Sequence, residues 1–177
     1  DLGSGLSFSG GASLLEGGLA QNTRYVYKMS ETGAKTFRVD SSVTNIGAKV
    51  PRRYRGVDAQ LSFKHGWGKT ELRGEYWWGT QAAIANESNT PSVVLAEPTY
   101  IRPFNGAFFY LLQNIAGPEH QVIVKYDFYA PNRLVAKADV GLSGTNTHAG
   151  DVRFHTLGFG YLYYLDEHFR VLGWYDV

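Results

Sequence analysis

Between positions 57 and 78 the chain alternates apolar and polar residues with a period of two. Val57, Ala59, Leu61 and Phe63 interleave with Asp58, Gln60, Ser62 and Lys64. After His65-Gly66-Trp67-Gly68, Leu72, Tyr76 and Trp78 interleave with Glu71, Arg73 and Glu75. Alternate side chains of a strand point to opposite faces, so the pattern predicts a hairpin with strands over 54–64 and 70–79. One face is oily and aromatic; the other carries charges of both signs. Placing both charged faces on one side pairs even positions of the first strand with odd positions of the second. The register expected is Lys64 opposite Glu71, Ser62 opposite Arg73 and Gln60 opposite Glu75, where each pair of opposite charges contributes roughly 0.2–1 kcal/mol.

The same period recurs downstream. Over 121–129, Val122, Val124, Tyr126 and Phe128 alternate with Gln121, Ile123, Lys125 and Asp127. Over 152–164, Leu157, Phe159, Tyr161 and Tyr163 oppose the small Thr156, Gly158 and Gly160. A strand over 5–12 is weaker, with Leu6 and Phe8 on its oily side, and 106–115 is apolar on both faces. The final strand is expected over 169–177, for a total of about seven.

The connections alternate in length: 65–69, 116–120 and 165–168 are short, whereas 13–53, 80–105 and 130–151 are long. Inside the first long one, 23–29 and 35–40 flank 30–34 as a small hairpin. Tight turns at one end and long loops at the other distinguish a barrel that crosses a bacterial outer membrane. The oily face adds two aromatic groups, Phe63, Trp67, Tyr163 and Phe169 toward the short turns and Tyr76, Trp78, Tyr126, Phe128, Trp174 and Tyr175 toward the long loops. Two aromatic belts suit the two membrane–water boundaries. The fold class expected is therefore all-β, an antiparallel transmembrane β-barrel, with 1–177 forming one partial barrel domain. Seven strands is an odd number where such barrels close with even ones, so at least one further strand is expected after Val177, and the start at Asp1-Leu2-Gly3 reads as a mature form or a fragment.

Composition narrows this picture without redirecting it. The chain has 177 residues, a formal net charge of +1 and no cysteine. The charge gives no basis for nucleic-acid binding, and the missing thiols exclude disulfides, thiolate catalysis and cysteine-type zinc sites. The longest apolar run, 107–112, falls far short of the ~18 residues of a membrane helix, whereas a barrel strand needs only ~9–11.

On the charged face, Asp58, Gln60, Lys64, Glu71, Arg73, Glu75, Lys125, Asp127 and Arg170 are the candidates to line a hydrated lumen. Arg24, Lys28, Lys35, Arg38, Lys49, Arg52 and Arg53 make 13–53 basic, seven cations against Glu16, Glu31 and Asp40. Folded inward, that loop favours anions; left outside, it meets outer-membrane lipid, acidic lipopolysaccharide or a partner. No catalytic set is expected: Arg73 between Glu71 and Glu75 makes a salt-bridged wall rather than an acid–base pair. The five histidines lack the close spacing of metal ligands, and no cofactor is implied.

The segments YRGVDAQLSFKHGWGKTELRGEYWWGTQ, YIRPFNGAFFYLLQNIAGPEHQVIVKYDFYAPN and TLGFGYLYYLDEHFRVLGWYDV resemble the phosphate-selective porin O/P-like family of outer-membrane porins. VKYDFYAPN at a strand end and LGFGYLYYLDEHFRVLGWYD as a hairpin carry the likeness, which covers most of the chain after Arg53. It implies the C-terminal part of a barrel of about sixteen strands, commonly trimeric, passing small solutes or anions. Family selectivity rests on rows of basic residues. Here Asp58, Glu71, Glu75 and Asp127 share the face of Lys64, Arg73, Lys125 and Arg170, a departure from that pattern. The expectation is a passive, non-enzymatic porin. Its rivals are a plugged, non-transporting barrel of an outer-membrane complex, with 13–53 as the plug, and a soluble ligand-binding barrel.

Overall fold

The computed structural model describes residues 5–30, 35–89 and 96–177. Nine strands make one sheet: β1 (Leu6–Ala20), β2 (Val26–Met29), β3 (Phe37–Asp40), β4 (Lys49–His65), β5 (Gly68–Ala83), β6 (Thr99–Asn114), β7 (His120–Ala130), β8 (Phe154–Tyr164) and β9 (Arg170–Asp176). Among the described residues there is no α-helix, and no helix is long and apolar enough to cross a membrane. Seven strands form an antiparallel meander in the order β1-β4-β5-β6-β7-β8-β9. The short hairpin β2–β3 joins it off this path, with β2 parallel to the start of β6 through Val26↔Thr99 and Lys28↔Ile101.

The fold is thus all-β, an antiparallel sheet of the kind a piece of a β-barrel forms, with β1 and β9 left as its edges. It curls. Ser9 of β1 and Leu172 and Trp174 of β9, from opposite edges, line one cavity with Gln60, Arg73 and Tyr110. The connections 66–67, 115–119 and 165–169 lie at one end of the meander. The described residues of the long connections between β1 and β4, β5 and β6, and β7 and β8 lie at the other.

Several expected boundaries move. The segment 13–53 is not one loop: β1 continues to Ala20 and β4 begins at Lys49, paired from Ala20↔Lys49 to Leu6↔Phe63. Lys49, Arg52 and Arg53 are therefore strand residues. The small hairpin forms over β2 and β3 with Lys28 opposite Arg38, while 31–34 of its expected turn, including Glu31, lie outside the described residues. β5 and β6 extend into 80–105, to Ala83 and from Thr99.

The 54–79 hairpin keeps its shared charged face, but its register differs by two residues. Lys64 opposes Lys69, Ser62 opposes Glu71, Gln60 opposes Arg73 and Asp58 opposes Glu75. The turn is tighter than the expected five-residue connection, because Gly68 at φ 120° carries the chain straight back into β5. The ion pairs of the hairpin then run along β5, from Lys69 and Arg73 to Glu71, rather than across the strands.

Candidate functional site

The register of the seven long strands sorts every side chain onto one of two faces. On the convex face one row runs Phe8, Leu61, Leu72, Leu111, Val124, Phe159 and Tyr175, and the next Gly10, Ala59, Gly74, Phe109, Tyr126 and Leu157. These rows and their neighbours carry no Asp, Glu, Lys or Arg until Arg55 and the Arg53–Glu16 ion pair (3.1 Å) at the long-loop end. The apolar side chains are left open: Phe8 is 58% exposed, Leu72 48% and Phe159 45%.

Polar rings bracket this band. Toward the short turns, His120 bonds the Tyr161 hydroxyl (2.6 Å) and stacks on Tyr163, and His65 packs against Phe63 and Trp67. Toward the long loops, the Tyr126 hydroxyl pairs with His155 Nδ1 (2.9 Å), and Asn105 donates to the Tyr76 hydroxyl (3.1 Å). Along β8, Tyr163 and His155 are eight residue steps apart, about 27 Å of strand. A tilt of roughly 40° reduces this to about 20 Å, comparable to the ~25 Å apolar band of outer-membrane barrels.

The concave face gathers all nine candidate residues: Asp58, Gln60, Lys64, Glu71, Arg73, Glu75, Lys125, Asp127 and Arg170. Glu71 is its hub. Its side chain is buried, takes ion pairs from Lys69 and Arg73, and accepts a hydrogen bond from Gln60 Nε2 (2.8 Å). Lys125 pairs with Asp127 at 2.6 Å. Trp77 Nε1 donates to Glu75. Two cations flank one carboxylate and Lys125 has an acid beside it, so the charges at the centre of this surface are largely paired with one another.

Lys69, Asp176, Trp77 and Trp174 stand on this face too. Lys69 was hidden in the expected turn. Trp174 was expected on the oily face beside Tyr175, which alternation forbids. Its indole lies flat over Gly158 and Gly160, where an added Cβ would approach ring carbons to 2.5 Å. The run of small residues at Thr156, Gly158 and Gly160 was the available signal for this shelf. With Phe108, Tyr110, Leu112, Ile123 and Leu172, Trp174 makes an apolar patch within a cavity of about 550 Å³ whose rim carries Asp58, Arg73 and Glu75.

The basic residues of 13–53 do not act as one group. Arg52 turns to the concave face, over the Tyr54 ring at 5.2 Å, whereas Arg53 is on the convex side. Lys49 is exposed at the start of β4. Lys28 and Arg38 oppose each other on the outer hairpin, Lys35 precedes β3, and Arg24 Nε donates to the Ser41 carbonyl (2.8 Å). Nearby, the Ser42 N–H donates to Asp40 (3.0 Å) and, with Asn45, holds that exposed carboxyl below its usual pKa.

One feature of the long-loop end escaped sequence reasoning. Arg102 is fully buried and pairs with the equally buried Asp151 (2.9 Å). Its other nitrogens donate to the carbonyls of Ile84 (2.9 Å) and Ala85 (3.0 Å), and it lies over the Tyr100 ring. Asn132 Nδ2 and the His148 N–H also donate to the Asp151 carboxylate. This cluster fastens 84–87 and 131–153 to the top of β6. Phe37 N–H donates to the Thr145 carbonyl (2.9 Å), tying in the β2–β3 hairpin. Among the described residues no group of three His, Asp or Glu side chains is placed to hold a metal.

No protein-family model, curated protein or solved structure matches this chain.

Proposed function

We infer that this chain is part of a bacterial outer-membrane porin, a passive, non-enzymatic channel for small hydrophilic solutes or ions. The observation that carries this reading is the pairing of two opposite faces on one curled sheet. The convex face is a charge-free apolar band with polar aromatic rims, and the concave face is lined with charge. A convex face this apolar is costly in water and suited to lipid. The motif likeness to phosphate-selective porins agrees with this and makes a trimer the expected assembly, but phosphate selectivity is not part of the reading. Arg73 and Lys125 are engaged by Glu71 and Asp127, so no free basic row faces the lumen. The test is planar-bilayer recording of the full-length protein, with steady ohmic conductance expected.

One observation favours a second reading. The apolar patch of Phe108, Tyr110, Leu112 and Trp174 on the concave face suits packing against a plug, as in a non-transporting barrel of a larger outer-membrane complex. A folded, membrane-inserted protein that never conducts would establish that alternative.

A further inference from the structure

The long-loop end holds a second cavity, of about 790 Å³, that plays no part in the channel face. Its charged lining is entirely cationic: Lys35 beside the β2–β3 hairpin, Arg133 and Lys137 from 131–153, and Arg153 leading into β8, with His155 also lining it. The rest is apolar, chiefly Leu134, Val135, Val140 and Val152. No carboxylate is among these lining residues, and the ion pairs of the described residues all lie elsewhere. The two acids of the same connection are already committed. Asp139 accepts from the Ala136 N–H (3.1 Å), and Asp151 is buried against Arg102. Four cations thus converge on an oily pocket with no internal counter-charge.

The position selects the ligand. His155 stands on the convex face opposite Phe128 and bonds Tyr126, so the cavity adjoins the loop-side aromatic ring of the apolar band. A ligand there has its charge at the level of lipid headgroups and its apolar part continuous with the lipid-facing surface. Clustered Lys and Arg at headgroup height attract anionic headgroups.

We propose that this cavity seats the phosphate groups of an outer-leaflet phosphorylated lipid, with lipid A as the matching chemistry. This rests on the outer-membrane reading above. The full-length protein, refolded in detergent, is incubated with bisphosphorylated lipid A, and retained lipid is measured by native mass spectrometry. Retention of the bisphosphorylated lipid is expected to exceed that of its dephosphorylated form by about a hundredfold, and R133Q/K137Q/R153Q is expected to lose the same factor. R133K/K137R/R153K keeps the charge and is expected to retain lipid within a few-fold of the wild type. Equal retention of the two lipids, or unaltered binding by the neutral variant, overturns the proposal. So does full displacement by inorganic phosphate, which marks a site for a free anion. A protein that conducts but binds no lipid A refutes this site alone. A protein that binds lipid A but never conducts refutes the channel reading alone.

Discussion

Arg102 and Asp151 form an ion pair with neither side chain accessible to solvent. Such a pair contributes little net stability, because desolvation offsets attraction, but removing one partner strands a buried charge at about 3–5 kcal/mol. Asp151→Ala is therefore expected to destabilise the refolded protein by about that amount, read as a lowered urea midpoint, and to open 84–87 and 131–153 to external protease while the sheet persists. Unchanged cleavage would separate the pair from loop anchoring. Gly150 belongs to the same unit, since an added Cβ would come within 2.7 Å of the Ala85 and Glu87 carbonyls. None of this was legible in the sequence. Arg102 sits between Ile101 and Pro103 in what reads as a loop, and its partner lies 49 positions on. No local periodicity records a contact of that range.

Strands were legible where each residue had a two-sided environment to answer to. β7 and β8 alternate cleanly because one side chain in two meets the convex face and the next the charged one. The far ends of β1, β4 and β6 were not. Leu14-Leu15 and Gly17-Gly18 break the alternation, and Pro51 and Pro103 read as strand stops. The structure admits both prolines because pairing is one-sided there: β5 joins β4 only from Arg53, and β7 joins β6 only from Asn105. Register was likewise beyond the pattern, since a shift of two residues keeps every side chain on its face. Paired cysteines test it in a background with none. Gln60→Cys with Arg73→Cys is expected to cross-link readily, and Gln60→Cys with Glu75→Cys weakly, because direct partners lie ≈ 4.5–5.5 Å apart between Cβ atoms and diagonal ones ≈ 7–8 Å. Adjacent positions on β6 test the faces themselves. Leu111→Arg places a charge on the convex side and is expected to cost about 2–4 kcal/mol of folding stability in lipid. Leu112→Arg, one residue on, faces the lumen side and is expected to fold normally. Equal penalties would refute the assignment of faces.

For the whole molecule, the porin reading makes selectivity a property of the sum of the concave face rather than of any one residue. Its cations are Arg52, Lys64, Lys69, Arg73, Lys125 and Arg170, and its carboxylates Asp58, Glu71, Glu75, Asp127 and Asp176. Six against five is nearly neutral, and the central members are locally paired. An ion passing along this face, as the porin reading has it, would feel a series of short dipoles, screened within about 8 Å at physiological salt. This part of the wall accordingly imposes little preference, and reversal potentials under a potassium chloride gradient should lie near zero. Glu71→Gln frees Lys69 and Arg73 together and leaves their charge uncompensated, so it is expected to move the reversal potential toward chloride. Arg73→Gln, which leaves Glu71 still held by Lys69, should move it less and in the cation direction. Opposite shifts of unequal size would identify Glu71 as the charge that sets the balance; no shift from either variant would mean that ions do not travel along this face.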